Sequence, residues 1–449
     1  MSHRRNYFYY LLLSFLSLLG IGLIKACAGE TNLPPLLPAV RLIINLLYLN
    51  LAAAFFLQIK HINPEQFTQR LPWILLAGVG ALLCSMGPVF SGDLMEYLIR
   101  GRMLGVYHVS PYLHVPREFP ADLLYPYSTW KDNPDSYGPL WVCAETLPAL
   151  LFPGSIQGMI WLQKLLILGA VSAGVYFFIK ILEVFHWTQE KKLIALFAYN
   201  PLLWVTAFID GRNDSVMLAL TLVSFYFLLR KRFSLSFLFW SLAFLVKYTV
   251  LIVLPFFIIF ALKEETSRLG KFPVVFILKQ LFLNASLIAG MFWPLWGGMD
   301  TFLALTRASG WFYSNTIPYA AQQALSLVGI AVPGTALKDF FLAAYGIFYG
   351  WALWAAVQEK GFEPKRIARL FSLVYLFFYL TITIPFGFHY LLWAFPWLVL
   401  ARWPHEDFLI TLYAFAGLFS YFKRINYLLI LATALYFGVF FVRGRSRAK

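Results

Sequence analysis

Acidic and basic residues stand side by side where one apolar stretch ends. The segment SGDLMEYLIRGR follows a long apolar run and carries Asp93, Glu96, Arg100 and Arg102. On a helix, spacings of three and four residues would place Glu96, Tyr97 and Arg100 on the face of the first acid. A carboxylate in such a place can act as a general base, and an arginine can bind a phosphate. The alternative is that Asp93 complements the helix dipole and that the arginines contact lipid headgroups.

A second polar group separates two apolar stretches in AYNPLLWVTAFIDGRNDSVMLAL. It consists of Asp210, Gly211, Arg212, Asn213 and Asp214. A tight turn between two helices needs a glycine and an Asx residue, but it does not need two acids and an arginine. Charged residues at membrane depth are candidates for function. The alternative is that the segment is only the polar tip of a helical hairpin.

Basic and aromatic residues at two further places could contact an anionic or a sugar ligand. Lys247 lies where two short apolar stretches meet, so it either extends to the membrane surface or binds a phosphate. His389 and Tyr390 lie at the boundary of another apolar stretch. They either belong to the aromatic belt of the membrane or bind a phosphate or a sugar hydroxyl. Additional contacts are predicted from Arg307, Trp311, Tyr313 and Asn315.

These residues need a scaffold, and the composition indicates that it is an all-α polytopic membrane protein. Hydrophobic residues make up 60% of the 449 positions and charged residues only 13%, against about 25% in soluble domains. Phe, Trp and Tyr reach 19%, as expected where aromatic belts mark both interfaces. A span needs about 20 apolar residues, and about 14 spans are predicted. They lie at 7–28, 36–59, 72–90, 155–183, 192–209, 214–230, 234–247, 248–263, 273–296, 337–358, 367–386, 389–402, 406–422 and 425–442.

Lysine and arginine set the predicted orientation. The chain has 36 of them against 21 acidic residues, which gives a net charge of +15. In a membrane protein this excess indicates basic cytoplasmic loops, not nucleic-acid binding. With both termini in the cytoplasm, 22 of the 36 basic residues fall inside. The chain is then a single membrane domain, 1–449, with two large outer segments at 91–154 and 297–336.

The larger outer segment contains the stretch YGPLWVCAETLPALLFPG. It is too short and too interrupted by proline to cross a membrane. Pro139 suits the first turn of a helix. We therefore predict a helix that lies along the outer interface, with Trp141 at headgroup level.

Several kinds of chemistry find no support in the sequence. It contains no GxxxxGK[ST], HExxH or GxSxG motif. Cys27, Cys84 and Cys143 share no close spacing, so neither a disulfide framework nor a zinc site is predicted. What remains is a set of carboxylates, arginines, a lysine and aromatics on one side of the membrane. Such a set suits an anionic lipid-linked substrate, whose phosphate meets a cation while its tail stays between helices.

In order and spacing, these motifs resemble the membrane-embedded GT-C glycosyltransferases, especially bacterial polyprenyl-phosphate-mannose-dependent α-mannosyltransferases. The similarity extends over most of the chain, roughly residues 72–400. It is carried by Asp93 to Tyr97, GRMLGVYHVSPYLHVP, YGPLW, NPLLWVTAFIDGRNDSVM, LVKYTVLIVLPF and HYLLWAFP. The resemblance implies a GT-C-like fold with interfacial helices in a large outer loop.

The resemblance also implies a reaction. A sugar, expected to be mannose, is joined to polyprenyl phosphate by a β bond and moves to a hydroxyl of a glycan or glycolipid acceptor. Asp93 is expected to be the catalytic base that takes the hydroxyl proton, and inversion gives an α-glycoside. Glu96, Tyr97 and Tyr137 are expected in the loop that holds the acceptor. Neither a cofactor nor a required metal ion is expected.

A further set of residues is implied at the donor. Related proteins often read His-Asn-Asp where this chain has Arg212, Asn213 and Asp214, and Trp-Tyr where it has His389 and Tyr390. The arginine still suits an anionic donor. The phosphate or sugar of the donor is expected to contact Arg100, Arg212, Asn213, Asp214, Lys247, His389 and Tyr390.

The expected location is a bacterial inner membrane, with the active site facing outside. Two alternatives remain open, a transporter or flippase of lipid-linked sugars and a non-catalytic scaffold. Transporters place binding residues near the bilayer midplane, where this chain has mainly Lys164 and Lys279. The enzyme alone requires one common site for Asp93, Asn213, Asp214, Lys247 and His389.

Overall fold

The chain is mostly helical in the part that its computed structural model describes. This part comprises residues 9–10, 12–21, 38–61, 92–187, 191–309, 317–359, 363–382 and 388–403, with single positions at 73, 78, 80, 83, 87, 410 and 412. No strand occurs among these residues. The all-α prediction is therefore confirmed for them.

The helices follow one another along the chain, with a long connection at residues 106–138 between α2 and α3. Ahead of them lies an apolar helical segment, Leu12–Ile21. The longer helices are α1 (Pro38–Lys60), α2 (Asp93–Gly105), α3 (Pro139–Leu151), α4 (Ile156–Val184), α5 (Lys191–Ala198), α6 (Asp214–Leu229), α7 (Phe233–Val246), α8 (Leu254–Leu269), α9 (Val274–Phe292), α10 (Leu303–Ser309), α11 (Ile317–Leu327), α12 (Gly334–Gln358), α13 (Pro364–Thr381) and α14 (Phe395–Ala401).

Long apolar helices are fewer than the predicted spans. Among the described residues, four are long and apolar enough to cross a membrane, namely Ile156–Val184, Lys191–Ile209, Val274–Leu295 and Gly334–Gln358. Each agrees within three residues with a predicted span. The helices α6 and α7 are apolar but shorter. The predicted total of fourteen is not confirmed, and the spans predicted at 72–90, 406–422 and 425–442 lie outside the described residues except for single positions.

Irregular turns interrupt the helices close to the polar residues. A π turn, Val205–Ile209, follows α5 and a short helix. Lys247 is extended, with φ −153° and ψ 128°, and a 3₁₀ turn, Tyr248–Val253, leads into α8. Another 3₁₀ turn, Phe388–Trp393, precedes α14. Irregular backbone at membrane depth is tolerated where it is buried in protein or lines a cavity, so these breaks mark the place where a site can be built.

Helix ends that carry basic residues lie near the C-terminal end of α8, the end opposite to the 3₁₀ turn. Lys263 Nζ donates to the carbonyl oxygens of Ala356, at 2.9 Å, and of Glu359, at 2.6 Å. Arg369 Nε donates to the carbonyl oxygen of Ala401 at 3.1 Å. Helix ends that the charge pattern assigns to one side of the membrane therefore lie together.

Two glycines allow α3 to approach its neighbours closely. Gly101 on α2 faces the carbonyl group of Glu145 on α3, and no room is left for a Cβ atom. Gly138, directly before α3, faces the carbonyl group of Leu245 on α7 in the same way. Its amide donates to the carbonyl oxygen of Val246 at 3.1 Å. These contacts hold α3 between α2 and α7.

The helix predicted along the outer interface is α3, and Pro139 is its first residue as expected. Trp141 does not contact lipid headgroups, and its predicted placement at headgroup level stays a prediction. Its side chain is 1% exposed and packs edge-on against Tyr97, with ring centroids 5.2 Å apart. Trp141 precedes Glu145 by about one helical turn, so it lies on the face that approaches α2.

Candidate active site

An ion pair joins the two polar groups that the sequence singles out. Arg212 Nη1 donates to Asp93 Oδ2 across 119 positions of the chain. Asp93 lies in the first turn of α2. Its side chain is 24% exposed, whereas that of Arg212 is 7% exposed. The carboxylate is therefore paired and still accessible to a substrate.

The turn that presents Arg212 depends on a break in the helical hydrogen-bond pattern. In the π turn at Val205–Ile209, the amide of Asp210 donates to the first carbonyl oxygen at 2.9 Å. Gly211 follows with φ +67°, a left-handed conformation that is strained for residues with a Cβ atom. The buried Lys164 on α4 donates to the carbonyl oxygen of Ile209 at 2.8 Å. This lysine within a span thus provides a hydrogen-bond donor to a backbone carbonyl group at the break in the helix.

Asp214 is fully buried as the first residue of α6. Its Oδ1 accepts from Lys247 Nζ at 2.7 Å and from Trp393 Nε1 at 2.6 Å. His389 Nε2 lies 3.9 Å from Oδ2. A carboxylate at a helix N-terminus also interacts favourably with the helix dipole. Asp214 therefore anchors groups from two distant segments.

Aromatic rings surround the ammonium group of Lys247. Its side chain is 12% exposed. The ammonium lies 5.5 Å from the ring centroid of Tyr137, 5.2 Å from that of Tyr390 and 5.3 Å from that of Trp393. Such cation–π contacts stabilise a cation that is largely removed from water. The alternative of a lysine extended to the membrane surface is therefore wrong.

His389 connects the two ion pairs. Its Nε2 lies 3.0 Å from Arg212 Nη1 and 3.9 Å from Asp214 Oδ2. Because arginine can only donate, Nε2 accepts this hydrogen bond and a neutral ring carries its proton on Nδ1. The ring of Tyr390 packs edge-on against it, with centroids 4.2 Å apart. His389 is buried, so it does not belong to an exposed aromatic belt.

Tyr97 and Tyr137 form an aromatic wall beside these groups, with ring centroids 5.3 Å apart. The hydroxyl of Tyr97 lies 3.5 Å from Asn213 Oδ1, to which it donates. The carbonyl oxygen of Tyr137 accepts from the hydroxyl of Tyr112 at 2.8 Å and from that of Tyr248 at 3.0 Å. The outer loop is thereby fixed against α2 and the turn after α7.

The residues that the enzyme hypothesis requires at one place form a connected group. Asp93 is joined through Arg212 to His389, Asp214 and Lys247, and Asn213 is attached through Tyr97. A partly exposed carboxylate can take a proton from a hydroxyl. Two cations in the same group can stabilise an anionic leaving group.

A match to a family model decides the family of the chain. The model of the MptA/B family, described as the N-terminal domain of α-(1→6)-mannopyranosyltransferases, matches residues 34–263. The chain belongs to this family. No curated protein and no solved structure matches it. The resemblance to GT-C mannosyltransferases is thus confirmed.

Family membership and the apolar helices together identify a membrane glycosyltransferase of a mannosyltransferase family. The match includes Asp93, the turn from Asp210 to Asp214, and Lys247, but it ends before His389. The roles of these residues stay predictions.

Two arginines of this glycosyltransferase bind within its outer segment. Arg100 Nη1 donates to Glu96 Oε2 at 2.9 Å, and Nη2 donates to the carbonyl oxygen of Asn133 at 3.3 Å. Arg102 Nε donates to Asp122 Oδ2 at 2.7 Å. Both arginines are buried. These contacts favour a role in holding the loop, and the assignment of Arg100 to the donor phosphate stays a prediction.

Glu96 anchors the same loop and is 2% exposed. Its Oε1 accepts from the amide of Trp130 at 2.8 Å, from the amide of Thr129 and from Ser128 Oγ at 3.0 Å. A carboxylate with this many donors is held in one position. Glu96 itself lies on α2, and its side chain points to the loop.

The second outer segment contacts the first through Arg307. Its Nη1 donates to the carbonyl oxygen of Asp132 at 3.3 Å. The other contacts predicted from this segment, Trp311, Tyr313 and Asn315, lie outside the described residues.

Two buried carboxyl groups of the outer segment were missed by the sequence analysis. Asp135 is 2% exposed and Glu145 is fully buried. Burial raises the pKa of Glu145 well above its usual range, and the nearby Asp135 raises it further. Burial also raises the pKa of Asp135, although Arg100 opposes this change. A single acid within an apolar helix was the signal that could have revealed Glu145.

Trp393 and Asp210 also contact the site, although no role in binding or catalysis was assigned to either. Trp393 Nε1 donates to Asp214, and Asp210 Oδ2 lies 3.7 Å from Arg212 Nε. Trp393 follows Tyr390 by three positions, a spacing that places both on one face of a helical turn. That spacing was the available signal for the tryptophan.

Within the described ranges, no group of three or more His, Cys, Asp or Glu side chains is arranged to hold a metal ion. The expectation that no metal is required stays a prediction. Arg212 and Lys247 are the cations that the contacts place beside Asp93 and Asp214.

Proposed function

We propose that the protein transfers mannose from a polyprenyl-phosphate donor to a hydroxyl of a glycan or glycolipid acceptor. The transfer takes place on the outer face of the membrane and inverts the donor to an α-glycoside. The observation that carries this proposal is the partly exposed Asp93 against Arg212, in one connected group with Lys247. The family description adds the α-(1→6) linkage.

In this mechanism Asp93 accepts the proton of the acceptor hydroxyl. The hydroxyl oxygen forms a bond to the anomeric carbon from the face opposite to the phosphate. The bond between that carbon and the phosphate oxygen breaks, and its electron pair leaves with polyprenyl phosphate. Arg212 and Lys247 stabilise the added negative charge. One displacement inverts the anomeric carbon, so a β-linked donor gives an α product.

The surroundings of the site favour a lipid-linked donor over a nucleotide sugar. Two long apolar helices adjoin the polar group, since Lys191–Ile209 ends directly before Asp210 and Lys164 of Ile156–Val184 contacts that end. A polyprenyl tail can therefore stay in the bilayer while its phosphate meets the cations. The sequence contains no GxxxxGK[ST] loop for a nucleotide. The basic-residue pattern supports an orientation with both termini in the cytoplasm and the site outside, and the resemblance implies a bacterial inner membrane.

A transporter or flippase would bind a lipid-linked sugar through the same cations. It would not need a base, because no proton is removed from an acceptor. Asp93 therefore separates the two functions.

The test uses purified protein in lipid nanodiscs with radiolabelled polyprenyl-phosphate mannose and a short α-(1→6)-linked mannoside. The wild type is expected to label the mannoside, and an α-mannosidase is expected to release the label. Asp93→Asn is compared with Asp132→Asn, a matched change at an exposed carboxylate that pairs with Arg117. The Asp132 variant is expected to keep wild-type activity.

Loss of transfer in Asp93→Asn alone supports both the reaction and the base. Equal transfer by both variants keeps the enzyme and removes Asp93 from its role. Transfer from GDP-mannose but not from the lipid contradicts the proposed donor. Movement of the lipid across the bilayer of closed vesicles that contain the protein, without transfer, favours the flippase.

A further inference from the structure

Arg212 contacts groups from three separate segments. Its Nη1 donates to Asp93 Oδ2 on α2 and lies 3.0 Å from His389 Nε2. Its Nε lies 3.7 Å from Asp210 Oδ2, at the end of the π turn. The arginine side chain is almost completely buried, and hydrogen bonds between charged groups are stronger away from water.

The contact with Asp93 competes with the proposed chemistry. The carboxylate that must accept the proton of the acceptor already accepts a hydrogen bond from the guanidinium group. While the carboxylate is paired in this way, it is a weaker acceptor for the proton of an incoming hydroxyl. The guanidinium group in turn has fewer N–H groups left to bind a donor phosphate.

A donor phosphate removes this conflict. Arginine binds phosphate oxygens through two parallel hydrogen bonds. When Arg212 binds a phosphate instead, the partly exposed carboxylate of Asp93 loses this hydrogen bond. It can then accept a hydrogen bond from the acceptor hydroxyl. The ion pair between Lys247 and Asp214 does not release a carboxylate in this way. After Lys247 has turned to the phosphate, Asp214 still accepts a hydrogen bond from the Trp393 indole.

We propose that Arg212 is a latch that holds Asp93 in the donor-free protein, and that the donor phosphate releases it, so that the donor binds before the acceptor. This inference rests on the proposed function and adds an order of binding to it. Arg212 then controls the availability of Asp93 in addition to binding the donor phosphate. Since coupling between two binding events is reciprocal, the acceptor also tightens binding of the lipid phosphate.

Polyprenyl phosphate without its sugar tests the latch in the absence of chemistry. Wild-type protein in nanodiscs is titrated with a soluble α-(1→6)-linked mannotrioside, with and without polyprenyl phosphate. We expect the lipid phosphate to raise the affinity for the mannoside by about 5- to 150-fold, the usual range of coupling between sites.

Two variants remove the latch from opposite sides. In Arg212→Gln and in Asp93→Asn, the affinity for the mannoside is expected to be the same with and without the lipid phosphate. Arg212→Lys keeps a cation and is expected to keep part of the coupling. Arg117→Gln breaks an exposed pair with Asp132 and is the matched control, which is expected to keep wild-type coupling.

The outcomes separate the latch from the proposed function. A wild type that transfers mannose but whose affinity for the mannoside ignores the lipid phosphate overturns the latch alone. Full coupling in both Arg212→Gln and Asp93→Asn also overturns it. A wild type that binds neither polyprenyl phosphate nor mannoside counts against the proposed function itself. Because the wild-type comparison needs no variant, a variant that fails to fold does not remove the test.

Discussion

The two carboxylates of the candidate site, Asp93 and Asp214, have similar surroundings and different access. Each lies in the first turn of a helix and pairs with a cation. The side chain of Asp93 is 24% exposed, whereas that of Asp214 is 1% exposed. Asp214 also accepts the indole N–H of Trp393. The first carboxylate can exchange its partner for a substrate, and the second is enclosed by the protein.

From this difference we expect the Asp93 half of the site to take part in the chemistry and the Asp214 half mainly to hold the structure around it. Removing one partner of a buried ion pair leaves an uncompensated charge, which costs about 3–5 kcal/mol. A more exposed pair costs less to open, because water can replace the lost partner. Changes in the two halves should therefore alter different measurements.

The largest effect is expected from Asp93→Asn. An amide cannot accept the proton, so kcat for mannose transfer should fall by about 100- to 10,000-fold, the contribution typical of a general base. The free energy of unfolding should change little, because the carboxylate is partly exposed. Steady-state kinetics and thermal unfolding of the same preparation measure both quantities. A large loss of thermal stability together with the loss of kcat would remove the distinction between the two halves.

The Asp214→Asn change is expected to act mainly on folding. Lys247 would lose its carboxylate while staying among three aromatic rings. The free energy of unfolding should then fall by about 3–5 kcal/mol. Adding Lys247→Met removes both charges and should recover most of the stability without recovering transfer. Denaturant unfolding in micelles measures these changes, and a stable but inactive Asp214→Asn protein would instead assign Asp214 to the chemistry.

A smaller effect on both halves is expected from Gly138→Ala. The added Cβ atom meets the carbonyl group of Leu245, so α3 must move away from α7. Overpacking of this kind costs about 1–3 kcal/mol, and it shifts Tyr137 relative to Lys247. Gly154→Ala is the control, because nothing lies within 4 Å of an added Cβ atom there. Equal stability and equal transfer in the two variants would show that this contact does not position the site.

The smallest effect is expected from the titration of Glu145. Burial raises the pKa of this carboxyl group by more than the nearby Arg100 lowers it. Its raised pKa means that the folded state binds more protons than the unfolded state above the ordinary value of 4.5. The free energy of unfolding should therefore fall as pH rises from that value towards the raised pKa. The slope is at most about 1.4 kcal/mol per pH unit for one proton.

Matched variants measure this pH dependence. Glu145→Gln should flatten the decline in stability with rising pH, because its amide does not titrate. Glu183→Gln changes an exposed partner of Lys180 and should leave the decline as it is in the wild type. Unfolding of all three proteins at several pH values gives the slopes. Identical slopes would mean that Glu145 does not set them.

Local sequence signals located the site but not the pairing within it. Charges beside apolar stretches pointed to Asp93 and to the turn with Arg212, and the structure brings these two groups together. The same kind of signal pointed to Arg100, whose carboxylate partner, Glu96, is only four positions away. Arg212 instead reaches across 119 positions. Which arginine contacts the candidate base is decided by packing between distant helices, and no local pattern carries that information.

The predicted spans show the same limit. Hydropathy located the long helices closely, because about 20 consecutive apolar residues are needed to cross a bilayer. It also placed a boundary at Lys247, where the helix does break. Hydropathy could not tell a complete span from a short helix joined to a 3₁₀ turn, because both are apolar. The orientation of Trp141 was missed for a related reason, since interface and interior both accept a tryptophan.

Because of the π turn at Val205–Ile209, the site can be kept in evolution only if the number of residues in this turn is kept. A π turn holds one more residue than the α-helical turn it replaces, so a single inserted codon can create it from a continuous helix. Each residue rotates a helix by about 100°. Loss of one codon here would swing Arg212 away from Asp93 even if every remaining residue were kept. Related sequences should therefore first be compared by the number of residues between Asn200 and Gly211.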